Sequence, residues 1–176
     1  MKGRITARAV AFGGLGAAIS VLSVLGAYYV PNLSISLNVI ASLGILLPLT
    51  QKYYRAAFFA YAVTAAIGGA VTTIHVLPFV CVTGLFPPIT ILMQDKVKWV
   101  WVRALVKFAF IMATFGILYG AAKLFVIDLE RFGLENLSAV ALYFIFNLIY
   151  AVAVVAYDFG IRWVYKYLER IVSKIK

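Results

Sequence analysis

Six side chains can hydrogen-bond a small molecule without adding charge to an apolar setting: Asn38, Thr83, Tyr119, Tyr143, Asn147 and Tyr150. Two carboxamides and four hydroxyls set among aromatic rings are the usual make-up of a small-molecule pocket. Their spacing groups them. Ser34, Asn38 and Ser42 recur every four residues, and Tyr143, Asn147 and Tyr150 every three or four, so each set forms one helical stripe. A carboxamide in lipid must find a partner, and interhelical bonds contribute only ~0.6–2 kcal/mol, so Asn gains little as glue alone. Two expectations stand side by side: Asn38 and Asn147 line a pocket, or they link helices.

Other chemistry has little to stand on. No glycine-rich phosphate loop ends in Lys-Ser or Lys-Thr, and there is no His-Glu-x-x-His helix. A single histidine, His75, makes no metal cluster, and a single cysteine, Cys81, excludes an internal disulfide and two-cysteine metal patterns. Cys81 with His75 a few residues away is a poor nucleophile–base pair, because no geometric case activates it. Paired carboxylates for a proton-coupled pump are also missing. The expectation is a protein that is not an enzyme, with no catalytic residue, cofactor or metal.

Two charges fall within apolar segments. Lys107 and Asp158 lie at similar depth and are placed to pair, which spares part of the ~2.5–3.5 kcal/mol insertion cost of such residues at mid-helix. Asp158 is equally placed to pair with Arg162, one turn on. Snorkelling of Lys107 to the interface is the alternative.

The elements that must position these groups are set by composition. The 176 residues are 65% hydrophobic and 12% charged, and the mean hydropathy is +1.02. Such a chain cannot cover a water-facing surface, so its solvent is lipid. The net charge of +10 would suggest nucleic acid in a soluble protein. Here the cations flank apolar spans, where orientation and anionic-lipid contact account for them, so no nucleic-acid partner is expected. Apolar periodicity predicts six transmembrane helices near 7–30, 34–51, 55–74, 76–93, 99–125 and 138–164. The apolar run from Ala9 to Val30 is too long for a signal peptide and lacks a cleavage site, so it counts as the first helix.

Lys and Arg cluster in every second gap. Lys2, Arg4 and Arg8 precede the first helix, Lys52 and Arg55 lie between the second and third, and Lys96, Lys98, Arg103 and Lys107 flank the start of the fifth. Arg162, Lys166, Arg170, Lys174 and Lys176 follow the sixth, whereas Lys123 and Arg131 alone remain for the other side, with Asp128, Glu130 and Glu135. Cytoplasmic loops retain Lys and Arg, so both termini are expected in the cytoplasm. The fold class is therefore an all-α, polytopic six-helix membrane bundle, one domain over residues 1–176. Residues 162–176 carry Val164, Leu168, Ile171 and Ile175 at helical spacing and are expected as a basic amphipathic cytoplasmic tail. Trp99, Trp101, Trp163, Tyr165 and Tyr167 fit an interfacial aromatic belt.

Small residues add a packing layer. Ala7 and Ala11 pair on the first helix, Ala9, Gly13 and Ala17 form a second ladder, and Gly14 and Ala18 a third; the third helix repeats the device with Ala56, Ala60, Thr64, Gly68 and Thr72. Backbones approach closely at such ladders. The first helix carries more of them than one neighbour needs, which leaves a face for another protein. In the fourth helix Pro78, Gly84, Pro87 and Pro88 free backbone carbonyls that neighbours, water or a ligand must satisfy. A plain packing kink is the alternative.

The length, six spans, the Ala7-x-x-x-Ala11 pattern and an outer pocket resemble the membrane-embedded S components of energy-coupling factor transporters. The stretch His75-Val-Leu-Pro-Phe-Val-Cys-Val-Thr-Gly-Leu-Phe-Pro-Pro, followed by Lys107 and Asn147, is similar to uncharacterised bacterial membrane proteins near that family. The resemblance implies a multi-pass protein of the bacterial inner membrane that binds a vitamin-like micronutrient from outside. Its implied partners are a transmembrane T subunit, docked at Ala7 and Ala11, and two ATPase subunits. It makes Tyr29–Ser34 part of a loop over the substrate, although that loop is short and carries no signature of a particular vitamin. The alternative is a non-transport scaffold, a six-span accessory subunit of a cell-envelope complex.

Overall fold

The computed structural model describes residues 6–124 and 139–174, and every regular element among them is helical. Asp128, Glu130, Arg131 and Glu135, and the side chain of Lys123, lie outside the described residues. The helices are α1 (Ala7–Tyr29), α2 (Ser34–Thr50), α3 (Tyr54–Thr72), α4 (Phe86–Lys96), α5 (Val100–Leu124) and α6 (Ala139–Ser173). Among the described residues five stretches are long and apolar enough to cross a bilayer: Ala7–Tyr29, Pro31–Thr50, Tyr54–Val76, Val100–Ala122 and Val140–Ser173. The chain is a membrane protein built of transmembrane helices.

Side-chain contacts gather alternate helix ends. The Phe12 and Tyr53 rings lie 6.4 Å apart, the Tyr54 hydroxyl donates to the Asp95 carboxylate, and the Tyr165 hydroxyl donates to the Leu49 carbonyl at 3.3 Å. The start of α1, the α2–α3 link, the end of α4 and the last turns of α6 therefore share one end, the basic end. Tyr28 and His75 meet at the opposite end, 5.4 Å apart.

The α1–α3 module explains the small-residue ladders. Ala9, Gly13, Gly16, Ala17 and Ser20 of α1 are buried, while Ala7, Ala11, Gly14 and Ala18 are exposed. The buried ladder lets α1 and α2 touch backbone to backbone: the Ser20 hydroxyl donates to the Ala41 carbonyl at 2.7 Å. A Cβ added to Gly16 would fall on the Gly44 carbonyl oxygen. One on Gly13 would lie 3.1 Å from the Ala56 Cβ, which places α3 against the same ladder. On α3, Ala57, Ala60, Thr64, Gly68 and Thr72 are buried in turn. Ile45, Leu46, Leu49, Phe79, Ile91 and Ile161 complete the core around them.

Local signals fix the ends. Thr6 caps α1 by accepting from the Ala9 amide at 3.3 Å. Pro31 opens a 3₁₀ turn, Pro31–Leu33, that leads into α2. Among the described residues two that are not glycine take positive φ: Lys52, at 58°, turns the chain from α2 into α3, and Thr73, at φ 53° and ψ −111°, ends α3.

The fourth predicted helix, 76–93, differs from expectation: it is not one helix. A 3₁₀ turn (Thr73–Val76) passes into a π-helical turn (Phe79–Thr83), and α4 starts afresh at Phe86. Pro87 and Pro88 stand in the first turn of α4, where a missing amide breaks no bond inside that helix. They start a helix rather than bend one. The helical continuation expected after residue 164 is present, since α6 runs unbroken for 35 residues to Ser173. At 1.5 Å per residue that is about 52 Å, well beyond the ~30 Å of hydrocarbon. Residues 162–173 thus continue α6 in line, with Tyr165 and Val172 buried.

Candidate functional site

The irregular fourth segment is where backbone polarity has to be handled by side chains. In the π turn the Gly84 amide donates to the Phe79 carbonyl at 2.7 Å, five residues back instead of four. The next carbonyl, Val80, accepts from the Tyr61 hydroxyl of α3 at 3.1 Å. Pro87 has no amide to offer four residues back, and the Thr83 carbonyl accepts from the Tyr157 hydroxyl of α6 at 3.2 Å instead. Freed carbonyls in a membrane helix need such donors from neighbours. Two tyrosines on different helices thus clamp the segment, and π turns of this kind recur at functional sites.

Around this clamp two polar atoms are left without partners. Asn38 is 5% exposed and Thr83 9%. The Asn38 amide donates to the Ser34 carbonyl of its own helix at 2.9 Å, but its Oδ1 has no hydrogen-bond partner. The Thr83 hydroxyl has none either. Other buried hydroxyls behave differently: Thr64, Thr72 and Thr114 each donate at 2.8 Å to the carbonyl four residues back. An unpaired buried polar group costs about 1–3 kcal/mol. Ser42, one turn from Asn38 on α2, neighbours the Tyr157 hydroxyl, which ties the α2 stripe to the clamp. Among the described residues the hydrogen bond of Asn38 stays within its own helix.

The remaining predicted residues collect along the α5–α6 seam. Phe115 is the hub, with ring centroids 5.7 Å from Tyr119, 5.1 Å from Tyr143 and 5.5 Å from Tyr150. Tyr119 and Tyr143 also meet edge to face at 5.1 Å. Thr114 and Tyr150 hydroxyls lie 2.7 Å apart; the Thr114 proton is already directed at Phe110, so Tyr150 is the donor. Asn147 reaches across to the Met112 sulfur at 3.8 Å, a weak acceptor. Tyr150 and Val82 of the π turn both pack on the cluster of Phe86, Ile111 and Val154, which joins the seam to the clamp. The Tyr61–Tyr157 clamp with Thr83 is thus one polar focus, with Ser42, one turn from Asn38, beside it on α2, and Tyr119, Tyr143, Asn147 and Tyr150 gather in an adjoining aromatic one.

Sequence reasoning missed Tyr157, Tyr61 and Thr114. Tyr157 was within reach, because it extends the Tyr143–Asn147–Tyr150 stripe by seven residues, two helical turns. Towards the basic end the focus runs into charge. Phe86 lies 6.0 Å from the Tyr157 ring and 5.9 Å from the Lys107 ammonium. Lys107 is paired with Asp158, which also accepts from Arg162 and, at 3.4 Å, from Thr90.

Ala7 and Ala11, the residues expected to meet a partner subunit, are both exposed at the start of α1. Among the described residues no group of His, Cys, Asp and Glu has the makings of a metal site. No family model, curated protein or solved structure matches the chain.

Proposed function

We propose that this protein is the substrate-binding subunit of an ATP-driven uptake transporter in the bacterial inner membrane. It captures a vitamin-like small molecule from outside, between α2, the π turn and α6. The observation that carries this is the pair of buried, unpartnered atoms, Asn38 Oδ1 and Thr83 Oγ1. A ligand that hydrogen-bonds both removes their desolvation penalty, which gives binding energy to polar atoms that contribute nothing in the empty protein.

In this proposal the segment from Thr73 to Lys96 makes the sixth crossing, and the basic end faces the cytoplasm. Ala7 and Ala11 then form a cytoplasmic docking stripe for a transmembrane T subunit with its two ATPases. Their exposure supports that role, since Ala9, Gly13 and Ala17 already serve the packing against α2 and α3. The same exposed stripe favours the second reading, a scaffold subunit of a cell-envelope complex.

Mass spectrometry of purified protein for a bound small molecule, followed by a thermal-shift panel of micronutrients, tests the proposal. A specific ligand raises the melting temperature by an amount set by its concentration over Kd, and Asn38→Leu abolishes that shift in a folded protein. A panel without any shift, together with no bound molecule, gives preference to the scaffold. Ala7→Leu with Ala11→Leu is expected to abolish co-purification with a T subunit while ligand affinity stays unchanged.

A further inference from the structure

At the basic end, α5 and α6 bring together more positive charge than they neutralise. Arg103 and Lys107 are one turn apart on α5 and share a face, as do Asp158, Arg162 and Lys166 on α6. The two faces meet where the Lys107 Nζ lies 2.7 Å from both carboxylate oxygens of Asp158. Arg162 binds the same carboxylate from its own helix. One acidic group therefore serves two cations, while Arg103 and Lys166 have no ion pair among the described residues. Glu169, the next acidic residue on α6, is exposed and makes no ion pair among the described residues either.

Arg103 gives the site its direction. Its Nε is buried and has no hydrogen-bond partner, and a charged donor is costlier to leave unpaired than a neutral one. The depth is marked by aromatic residues. Trp99 and Trp101, 74% and 85% exposed, flank the start of α5, and Trp163 stacks on Tyr167 at 6.2 Å on α6. Exposed Trp and Tyr sit at headgroup level, so Arg103, Arg162 and Lys166 lie where lipid phosphates are. The Arg162 guanidinium covers the exposed Phe159 ring at 4.8 Å, which puts a cation and a hydrocarbon-facing surface side by side.

We infer that the α5–α6 seam at the basic end binds the phosphate headgroup of an anionic phospholipid. Arg103 and Arg162 donate to its phosphate oxygens, Lys166 adds charge, and an acyl chain lies along Phe159. Basic recesses between transmembrane helices select such lipids by roughly fivefold per cation near the surface. A soluble anion shares the phosphate chemistry but gains nothing from the apolar surface. This inference requires only that the helices cross a membrane, and holds whatever the pocket at Asn38 captures.

The test places the full-length protein in nanodiscs of phosphatidylcholine, with or without phosphatidylglycerol, and counts retained lipids by native mass spectrometry beside thermal unfolding. Phosphatidylglycerol is expected to be enriched about fivefold or more and to raise the melting temperature. Arg103→Gln lowers its retention about fivefold. Lys166→Gln, at an exposed position where folding is not in question, lowers it in the same direction. Arg55→Gln, at the same end but on α3, leaves it unchanged. Equal retention of the two lipids overturns the inference. So does an equal loss in Arg55→Gln, which makes the effect one of general surface charge. Stabilisation by inorganic phosphate alone in phosphatidylcholine also overturns it, because the seam then takes a soluble anion.

Discussion

The Tyr157 hydroxyl donates to the Thr83 carbonyl at 3.2 Å, filling the acceptor that Pro87 leaves without an amide. Tyr157→Phe is expected to destabilise the protein by about 1–2 kcal/mol, the cost of an unsatisfied buried carbonyl. In a Pro87→Ala background, where residue 87 regains its amide, the same change should cost less. Unfolding of the four proteins in a double-mutant cycle gives the coupling; additive effects would show that the two groups do not serve the same oxygen.

Asp158 holds two cations, so its loss should exceed that of either partner. Asp158→Asn takes the counter-charge from the part-buried Lys107 and from Arg162 at the headgroup level, and should cost about 3 kcal/mol, the low end for breaking a buried pair. Lys107→Met keeps the Arg162 contact and should cost about 1–3 kcal/mol. Denaturation midpoints in a fixed detergent order the variants, and an equal effect of the two would refute the shared-carboxylate arrangement.

Gly16 and Gly14 are two residues apart on α1 and should respond oppositely to the same methyl group. A Cβ on Gly16 collides with the Gly44 backbone, while one on Gly14 meets nothing within 4 Å. Gly16→Ala is expected to cost about 1–3 kcal/mol from overpacking. Gly14→Ala should be neutral or stabilising by up to about 1 kcal/mol from helix propensity. Melting temperatures of the two variants check this directly.

Asn38→Leu should stabilise the ligand-free protein by about 1 kcal/mol or more, because it removes a buried carbonyl oxygen with no partner. If the melting temperature of the ligand-free variant falls instead, Asn38 is a structural residue and the site proposal loses its main support.

Thr73, at φ 53° and ψ −111°, occupies the backbone region of the first central residue of a type II′ turn, where glycine is preferred. A β-branched residue there is strained by about 1–3 kcal/mol. Thr73→Gly is therefore expected to raise stability by about 1 kcal/mol. An unchanged or lower unfolding midpoint would show that Thr73 makes side-chain contacts that offset the strain.

Much of the scaffold was legible in the residues. Apolar runs located five uninterrupted helices to within a few residues at most ends, because runs of that length have one solution in lipid. The depth of Lys107 and Asp158 made their pairing one option beside Asp158–Arg162 and the snorkelling of Lys107, and the structure holds both pairs. What periodicity could not supply was azimuth. Ala7–Ala11 and Ala9–Gly13–Ala17 look alike as ladders, and only packing decides that the second turns inward. Asn38 and Thr83 were recognisable as polar groups, but the lack of a partner for the Asn38 Oδ1 and the Thr83 hydroxyl is set by packing that periodicity does not carry. The π turn had no signature beyond its prolines and Gly84, and α6 overran its apolar segment because Tyr165 and Val172 continue to find cover.

The π turn Phe79–Thr83 has one further consequence. A helix advances by roughly 100° per residue, so one extra residue in a turn shifts the phase of everything that follows. Thr83 and Thr90 owe their facing directions, towards the Tyr157 clamp and the Asp158 carboxylate, to that offset. The turn acts as an angular spacer: winding the same residues at α-helical pitch would turn α4 about its own axis and carry Thr90 away from the Asp158 carboxylate.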